Sequence, residues 1–510
     1  MRVRARKTAG AAVALLGLLL PTSVALGDQI PGGQGPSSEV FIGHRTRPRP
    51  ISFDAAPKPP RHPFMAPNDR SNIHDDAYQT DSADWTGPLG RDMWRDSIRQ
   101  DAECATLTFD RGGRIETVCV GVQRPKLVLM NPRTLDPIES YQLPKRQAGP
   151  CQPTTCNPFT DFSGGGYFYL DRHDRAVVVT NNQHVFVIEQ RPGPRFKRVR
   201  DYSLRKLLDD GDKLVAVMPD WHGLLWVVTR EGVIVTINPH SGHKRKYNTH
   251  EGISNSFAVD ESGGVYIVTD GKESSDTGTL YRFRADRHGR PEVTWKEKYR
   301  NGPQKPGQSQ RGSGTTPTLM GSRYVAITDN DEPMHVLVFK RRKGAHDRRV
   351  CKQAVFGADG ATDNSLIGTR RSLIVENNFG YTIASEESTP GVWRVDIDRD
   401  DHGCHVVWRN DEVSSPSVVP KLSLRNGLVY VYTHHPELAD GWYLTALNFR
   451  TGKLVYMRLA GRGPLFNNNY APVTIGRHGR IYVGVLAGLV ALGDADPRSH
   501  HRPGRHRPGR

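Results

Sequence analysis

The stretch YLTALNFRTGKLVY, residues 443–456, decides the fold of this 510-residue chain. An apolar run ends at an asparagine, a turn containing Thr and Gly follows, and the next run brings a tyrosine. Two further stretches share this pattern, LVLMNPRTLDPIESY at 127–141 and VIVTINPHSGHKRKY at 233–247. Their asparagines are 131, 238 and 448, and the intervals between them are close to two and four units of about 52 residues.

Similar apolar runs fill the gaps between these three stretches. Eight equivalent positions result: 131, 189, 238, 284, 340, 396, 448 and 493. Two short strand-like runs precede each position, and a run that carries an aromatic residue follows most of them. Four strands repeated about eight times are typical of a β-propeller. The sequence therefore predicts an all-β chain with one propeller of eight blades, or of seven as the alternative, because regular spacing disfavours an irregular sandwich or a tandem of small β domains.

The last repeat lacks an outer strand after Gly493. A propeller ring must close, and the sequence upstream of Cys104, which includes Trp85 and Trp94, could supply the missing strand. We therefore expect the two ends of the propeller to share one blade.

Four segments are predicted from composition. The first carries a basic start, an apolar run and small residues before Asp28, as in a Sec-type secretory signal, and no later run is long enough to span a membrane. The second is rich in Pro and polar residues and is expected to be disordered. The segments are a signal peptide at 1–27, a leader at 28–82, the propeller at 83–496 and a basic disordered tail at 497–510. A secreted, extracellular monomer is the expectation.

The formal net charge of +16 is concentrated at the ends. Four cations lie in the signal and five arginines in the tail, which could adhere to an anionic polymer. Basic runs at 243–246 and 340–344 lack interleaved aromatic residues, so no specific nucleic-acid binding is expected.

All six cysteines follow the signal, and an even number in an exported chain favours disulfides over metal ligation. Six cysteines allow 15 pairings. Cys104 and Cys119 flank a turn symmetrically, and Cys151 and Cys156 enclose a short loop. We expect each of these pairs to be bonded, which leaves Cys351 and Cys404 for each other.

The form of residues 446–456 resembles the repeat of quinoprotein alcohol dehydrogenase-like propellers, and the resemblance covers most of residues 100–494. The resemblance implies a β-propeller fold. The quinone-binding enzymes of that family carry adjacent cysteines in the site, and this sequence contains none. Pyrroloquinoline quinone is therefore not expected, and a quinoprotein-type oxidoreductase is disfavoured.

Polar residues gather at one end of the predicted channel. The start of each inner strand and the loop between second and third strands lie on the same face of a propeller, the channel mouth. This places one set of polar residues at the mouth as candidate ligand-binding residues: Asn467, Asn468, Asn469, Asn377 and His435. Turns use Asn and Asp for their own backbone, so turn formation is the competing interpretation.

Carboxylate and amide oxygens in this number suit Ca²⁺. The candidate metal ligands are Glu376, Asn364, Asn255 and Asp329, and the candidate general bases are Asp329 and His434. The stretches 375–381 and 327–333 resemble strand-end motifs of gluconolactonase- and paraoxonase-type calcium propellers, which implies a Ca²⁺-assisted lactone or ester hydrolase. The leading hypothesis is thus a secreted propeller that binds a small polar ligand or substrate at the mouth. The alternative is a non-catalytic scaffold for a cell-wall polymer or protein.

Overall fold

The computed structural model describes residues 28–121, 124–146, 164–193, 195–272, 274–342 and 344–495. Eight sheets, each built on four antiparallel propeller strands, form a ring. Aliphatic and aromatic side chains fill the spaces within and between neighbouring sheets. The predicted eight-bladed propeller is confirmed, and each of the eight repeat positions lies at or near the end of a third strand.

Within each blade the strands follow one another from the channel outward. Blade 1 comprises Glu103–Phe109, Ile115–Val120, Lys126–Met130 and Pro137–Gln142. Blade 2 comprises Tyr169–Leu170, Ala176–Val179, His184–Arg191 and Arg195–Ser203. Blade 3 comprises Leu214–Pro219, Leu225–Thr229, Val233–Ile237 and Lys244–Asn248. Blade 4 comprises Ala258–Val259, Val265–Thr269, Thr277–Ala285 and Pro291–Arg300.

The second half of the ring follows the same order. Blade 5 comprises Thr318–Met320, Tyr324–Thr328, His335–Lys340 and Arg349–Ala354. Blade 6 comprises Ile367–Gly368, Ser372–Glu376, Val392–Ile397 and Cys404–Asn410. Blade 7 comprises Lys421–Ser423, Leu428–His435, Gly441–Asn448 and Leu454–Arg462. Blade 8 comprises Val473–Ile475, Arg480–Val485, Gly488–Gly493 and, from the N-terminal side, Trp94–Arg99.

The ring closes in blade 8 as the sequence predicts. Trp94–Arg99 pairs antiparallel with Gly488–Gly493 and supplies the missing outer strand. Trp94 also donates a hydrogen bond from Nε1 to the carbonyl oxygen of Asp494, at 3.1 Å. Trp85 lies outside the strand and packs against Phe109 of blade 1. Sequence from both sides of the repeats therefore meets in one sheet.

Blade 7 is wider than the others because two short strands from the N-terminal side join it. Phe41–Gly43 pairs antiparallel with its outer strand, and Ser82–Ala83 pairs parallel with its inner strand. Helical structure among the described residues is limited to one turn of α-helix and four short 3₁₀ turns, at Ser37–Val40, Gly357–Asp359, Pro436–Leu438, Pro464–Phe466 and Arg477–Gly479. None of these helices is long and apolar enough to cross a membrane.

Two disulfides are present in the described part of the chain. Cys104–Cys119 joins the first two strands of blade 1, and Cys351–Cys404 joins the outer strands of blades 5 and 6. Both pairs are those expected from the sequence. Disulfides are typical of oxidising, extracellular surroundings. The predicted Cys151–Cys156 pair, the signal at 1–27 and the tail at 497–510 lie outside the described residues.

The segment 62–84 lies across the end of the channel opposite the mouth, which we call the base. Its carbonyl oxygens accept hydrogen bonds from backbone N–H groups near the ends of inner strands in six blades, numbers 1, 2 and 4 to 7: Phe109, Leu170, Val259, Leu319, Gly368, Leu422 and Leu424. In blade 3 the sulfur of Met218 contacts the amides of Asn72 and Gln79. The base of the channel is therefore covered by the chain itself.

This arrangement differs from the disorder predicted for the leader at 28–82. The segment has little regular secondary structure, as its composition indicates, but much of it is buried. The physical reason is that exposed N–H groups of the inner strands need acceptors, and an extended chain supplies carbonyl groups to several blades in turn. No periodic apolar pattern encodes such contacts, so they cannot be predicted from composition alone.

Candidate functional site

The three consecutive asparagines lie at the mouth, directly before the inner strand of blade 8. All three are buried. Asn468 donates from Nδ2 to the carbonyl oxygens of Ala471 and Gly484, at 3.1 and 2.7 Å. The backbone carbonyl oxygen of Asn468 accepts a hydrogen bond of 2.5 Å from the Ser417 hydroxyl of blade 7. Asn468 is therefore a structural link between blades rather than a group that faces a ligand.

The neighbouring asparagines connect the mouth to other blades. Asn467 accepts a hydrogen bond from the Tyr381 hydroxyl at 3.1 Å and donates to the carbonyl oxygen of Ile383 at 3.2 Å. The backbone N–H of Asn469 donates to the carboxyl group of Glu103 at 2.9 Å. Burial raises the pKa of Glu103 to about 8, although this hydrogen bond acts in the opposite direction.

Glu376 ends the second strand of blade 6 inside a fully buried amide cluster. Its carboxyl oxygens accept hydrogen bonds from the amides of Asn364 and Asn378 and from the hydroxyl of Ser415. Burial raises the pKa of Glu376 to about 8, and the three hydrogen bonds partly oppose the shift. At neutral pH this side chain is therefore mainly a protonated, neutral group.

The four candidate calcium ligands do not share one centre. Asn364 contacts Glu376, but Asp329 pairs with His335 at 3.0 Å, and Asn255 binds the hydroxyl of Tyr167 at 2.9 Å. The groups around Glu376 are N–H and O–H donors, whereas Ca²⁺ needs six to eight oxygen ligands. The groups around Glu376 therefore do not provide the oxygen ligands that calcium needs, and we derive no chemistry through that ion.

The two candidate general bases lie in separate polar clusters. Asp329 of blade 5 is near Asp331, His335 and Lys352, and the lysine pairs with Asp331 at 3.2 Å. His434 of blade 7 contacts Asp440 at 2.8 Å.

The remaining candidates at this end of the molecule serve their own loops. His435 binds Glu437 at 2.8 Å. The side chain of Asn377 satisfies backbone groups of its own blade at residues 359, 361 and 379. For these two residues the competing interpretation, turn formation, describes the contacts observed.

A long connection between blades 4 and 5 crosses the mouth, and we call residues 302–314 the mouth loop. Lys305 donates to the carbonyl oxygens of Asp331 and Gly360, the latter at 2.9 Å, and Ser309 donates to Asp363 of blade 6 from its N–H and its hydroxyl, at 2.5 and 2.6 Å. At Gly314 a Cβ atom would lie 2.2 Å from the carbonyl oxygen of Thr362, so only glycine fits there. The loop is thus anchored to the blades that it covers.

A cleft of about 440 Å³ opens between the mouth loop and blades 6 and 8, and we call it the mouth cleft. Its lining consists of Gln304, Lys305, Pro306, Gly307, Gln308, Ser309, Tyr381, Thr382, Ile383, Asn469 and Tyr470. The rings of Tyr381 and Tyr470 meet edge to face, with centroids 5.7 Å apart. The Tyr470 hydroxyl donates to the carbonyl oxygen of Gly307, so this ring joins blade 8 to the loop.

Tyr470 has a positive φ of 61°, which is rare for a bulky residue and costs free energy. Strained backbone clusters at functional sites, so Tyr470 at the edge of this cleft is a candidate functional residue. Of the predicted ligand-binding residues, Asn469 is the one that lines this cleft.

Sequence reasoning missed Tyr381, Tyr470 and Lys305 as cleft residues. The stretch 301–317, NGPQKPGQSQRGSGTTP, carried the available signal, since it is a long polar insertion between two blades. Long loops with no regular structure are often functional. The tyrosines carried no signal of their own, because aromatic residues also recur as core residues of the repeat.

No protein-family profile matches the chain. An uncharacterized protein of Archaeoglobus fulgidus is 29% identical over 326 residues, which span 56% of this chain and 62% of that protein. The alignment therefore covers less than two thirds of this relative.

Solved structures share the fold at low identity. Sqt1 from Chaetomium thermophilum is 11% identical with a TM-score of 0.52, covering 79% of this chain and 98% of that one. A europium-containing methanol dehydrogenase, a quinoprotein, is 10% identical with a TM-score of 0.50, covering 82% and 90%. These similarities confirm the resemblance to quinoprotein-type propellers at the level of the fold.

Proposed function

We propose that this protein is an exported binding propeller that holds a sugar unit of a cell-wall polymer in the mouth cleft. The observation that carries the proposal is the composition of that cleft, in which two tyrosine rings lie beside amide, hydroxyl and ammonium groups. Concave sites with aromatic walls and a few placed polar groups are the usual form of small-ligand sites.

Each class of group has a role in holding a polyol. A sugar ring presents C–H faces that pack against an aromatic ring and hydroxyls that both donate and accept hydrogen bonds. Tyr470 offers the aromatic surface, while Gln304 and Thr382 are exposed polar residues that line the same cleft. Lys305 adds a positive charge, which would favour a polymer with anionic groups nearby.

We propose binding rather than catalysis, and neither a hydrolase nor an oxidoreductase mechanism is derived. Asp329 and His434 are held in different blades by their own partners, and Glu376 is enclosed by hydrogen-bond donors. The two disulfides support export, for which the signal at 1–27 is our proposed route.

Calorimetric titration of the chain from residue 28 with soluble cell-wall oligosaccharides tests this function. We expect binding to the wild type, and a loss of at least about tenfold in affinity for Tyr470→Ala, equal to about 1.4 kcal/mol. Tyr470→Phe should bind almost as the wild type does, because it keeps the ring and loses only the hydroxyl group.

Two controls separate binding from folding. Tyr470→Gly also removes the ring but adopts the positive φ without strain, so loss of binding there is not a backbone effect. Phe53→Ala removes an aromatic side chain that is 68% exposed and does not line the cleft. Equal binding by the wild type and Tyr470→Ala, or no binding by any oligosaccharide, would refute the proposal.

A further inference from the structure

A second polar region lies beneath the mouth loop, on the side of blades 3 to 6. Arg230 follows the second strand of blade 3, Asp270 that of blade 4, and Asp363 precedes the inner strand of blade 6. Thr316 precedes the inner strand of blade 5. We call this region the polar chamber.

Several polar atoms in the chamber are buried and lack a hydrogen-bond partner among the described residues. They are Arg230 Nη1, Gln308 Nε2, Thr316 Oγ1, Asp363 Oδ1 and Asn364 Oδ1. Thr316 and Asn364 are only 1% and 2% exposed, so their free atoms face the interior. A buried polar group without a partner is unfavourable, because it has lost its hydrogen bonds to water, so five in one region need an explanation.

The charges of the chamber are close enough to affect each other but do not form direct pairs. The Arg230 guanidinium acts to lower the pKa of Asp270 and of Asp363, against the larger upward effect of burial. Among the described residues, no ion pair within 4.0 Å joins Arg230 to either carboxylate. The Arg230 guanidinium and the Asp363 carboxylate are thus near each other but not paired, and each has one atom without a hydrogen-bond partner among the described residues.

The other groups of the chamber are already engaged. Asp363 uses its second oxygen to accept two hydrogen bonds from Ser309, and Asp270 accepts one from Ser254. Tyr167 donates to Asn255, whose amide donates to the carbonyl oxygen of Gly314 in the mouth loop at 2.7 Å. The unpartnered atoms therefore lie among side chains that are held in place by hydrogen bonds.

We propose that the polar chamber binds a small zwitterion of the amino-acid class. Its carboxylate pairs with the Arg230 guanidinium, which is suited to planar, two-point recognition of carboxylates. Its ammonium group donates to Asp363 Oδ1, Asn364 Oδ1 and Thr316 Oγ1. This ligand supplies acceptors to the free donors and donors to the free acceptors, which neither a simple anion nor a metal ion does.

The chamber adjoins the mouth cleft at Gln308, which lines the cleft and carries one of the unpartnered atoms. The groups that would hold the two ligands differ, because the cleft presents Tyr470 between blades 6 and 8, whereas the charged groups of the chamber lie in blades 3, 4 and 6. This inference therefore does not rest on the proposed function. A variant at Tyr470 changes the first site, and a variant at Arg230 changes the second.

The test uses the chain from residue 28 and a panel of the standard L-amino acids at neutral pH. Thermal shift finds candidates, and calorimetry measures affinity, with acetate and methylamine as the single-charge controls. We expect at least one amino acid to bind at one per chain and to raise the Tm. Arg230→Gln and Asp363→Asn should each weaken that binding at least tenfold, whereas Arg287→Gln, at an exposed arginine near the base, should leave it unchanged.

Thr316→Val keeps the test decisive if a charge variant fails to fold. Because the Thr316 hydroxyl has no partner in the part of the chain that the structure describes, its replacement by a methyl group should leave the Tm of the free protein unchanged or higher, while amino-acid binding weakens. The proposal is overturned if no amino acid shifts the Tm or binds, or if folded Arg230→Gln and Thr316→Val bind as the wild type does.

Discussion

At the scale of single residues, this propeller carries charged groups into its interior and pairs them there. Lys421 of blade 7 is fully buried, and its ammonium group donates to Asp81 and to the carbonyl oxygen of Ile73 and lies 3.3 Å from Asp75. Burial acts to lower the pKa of Lys421, but the two carboxylates outweigh it and raise the pKa. This lysine therefore fixes the base segment to an inner strand.

Lys421→Met should destabilise the protein by about 3–5 kcal/mol, because it leaves two buried carboxylates without their cation. Chemical denaturation measures the loss. The triple variant Lys421→Met, Asp75→Asn, Asp81→Asn should be more stable than Lys421→Met alone, since it removes the uncompensated charge. A triple variant less stable than the single one would contradict this account of the contact.

Glu376 gives the protein a predictable dependence on pH. Burial raises its pKa from 4.5 to about 8, so the folded protein retains a proton that the unfolded chain releases above pH 4.5. Its contribution to stability is complete below pH 4.5 and is lost as the pH rises to about 8, by at most about 1.4 kcal/mol per pH unit.

Glu376→Gln should remove this slope, so the variant gains stability relative to the wild type between pH 5 and about 8. Denaturation curves across that range measure the difference. Glu412→Gln, at an exposed position, is the control and should follow the wild type. A wild type and a Glu376→Gln variant with parallel pH profiles would show that the carboxyl group is already ionised in the folded state.

At the scale of strands and loops, the blades could be predicted because their sequence repeats. The segments inserted between or before the blades could not be predicted in this way. Alternation and turn residues recur in each unit, so the third strands ending near 131, 238 and 448 could be placed from sequence. The mouth loop and the base segment carry no such period. Their positions depend on acceptors and donors supplied by distant blades, such as Asp363 for Ser309. Hence the sequence was sufficient to place Asn467–Asn469 at the mouth, but it did not indicate which residues they contact.

The two disulfides should differ in their contribution to stability. Cys351–Cys404 closes a separation of 53 residues and Cys104–Cys119 one of 15. In the chain-entropy model these loops correspond to about 4 and about 3 kcal/mol. Replacing Cys351 and Cys404 with serine should therefore lower the Tm more than replacing Cys104 and Cys119. A larger loss from the pair in blade 1 would mean that packing, rather than loop length, determines the effect.

At the scale of the whole molecule, the two ends of the channel have different roles. The base is covered by residues 62–84, which contact the inner strands of seven blades and so belong to the folded propeller. The mouth is crossed by a loop that leaves a cleft open beside Tyr470. Propellers form ligand sites on such faces because loops from several blades meet there. The base is therefore the structural end of the channel, and the mouth is the end at which we propose binding.

Hydrogen–deuterium exchange, measured with and without a saturating cell-wall oligosaccharide, tests this assignment most directly. We predict that the oligosaccharide slows exchange in residues 304–309, 381–383 and 469–470, which line the mouth cleft. Exchange in residues 69–83 at the base should be slow in both states, because most of this segment is buried and several of its N–H groups, such as those of Asp69, Asp75 and Gln79, bond to carbonyl groups within it. Protection at the base on binding, with no change around Tyr470, would contradict the assignment of binding to the mouth.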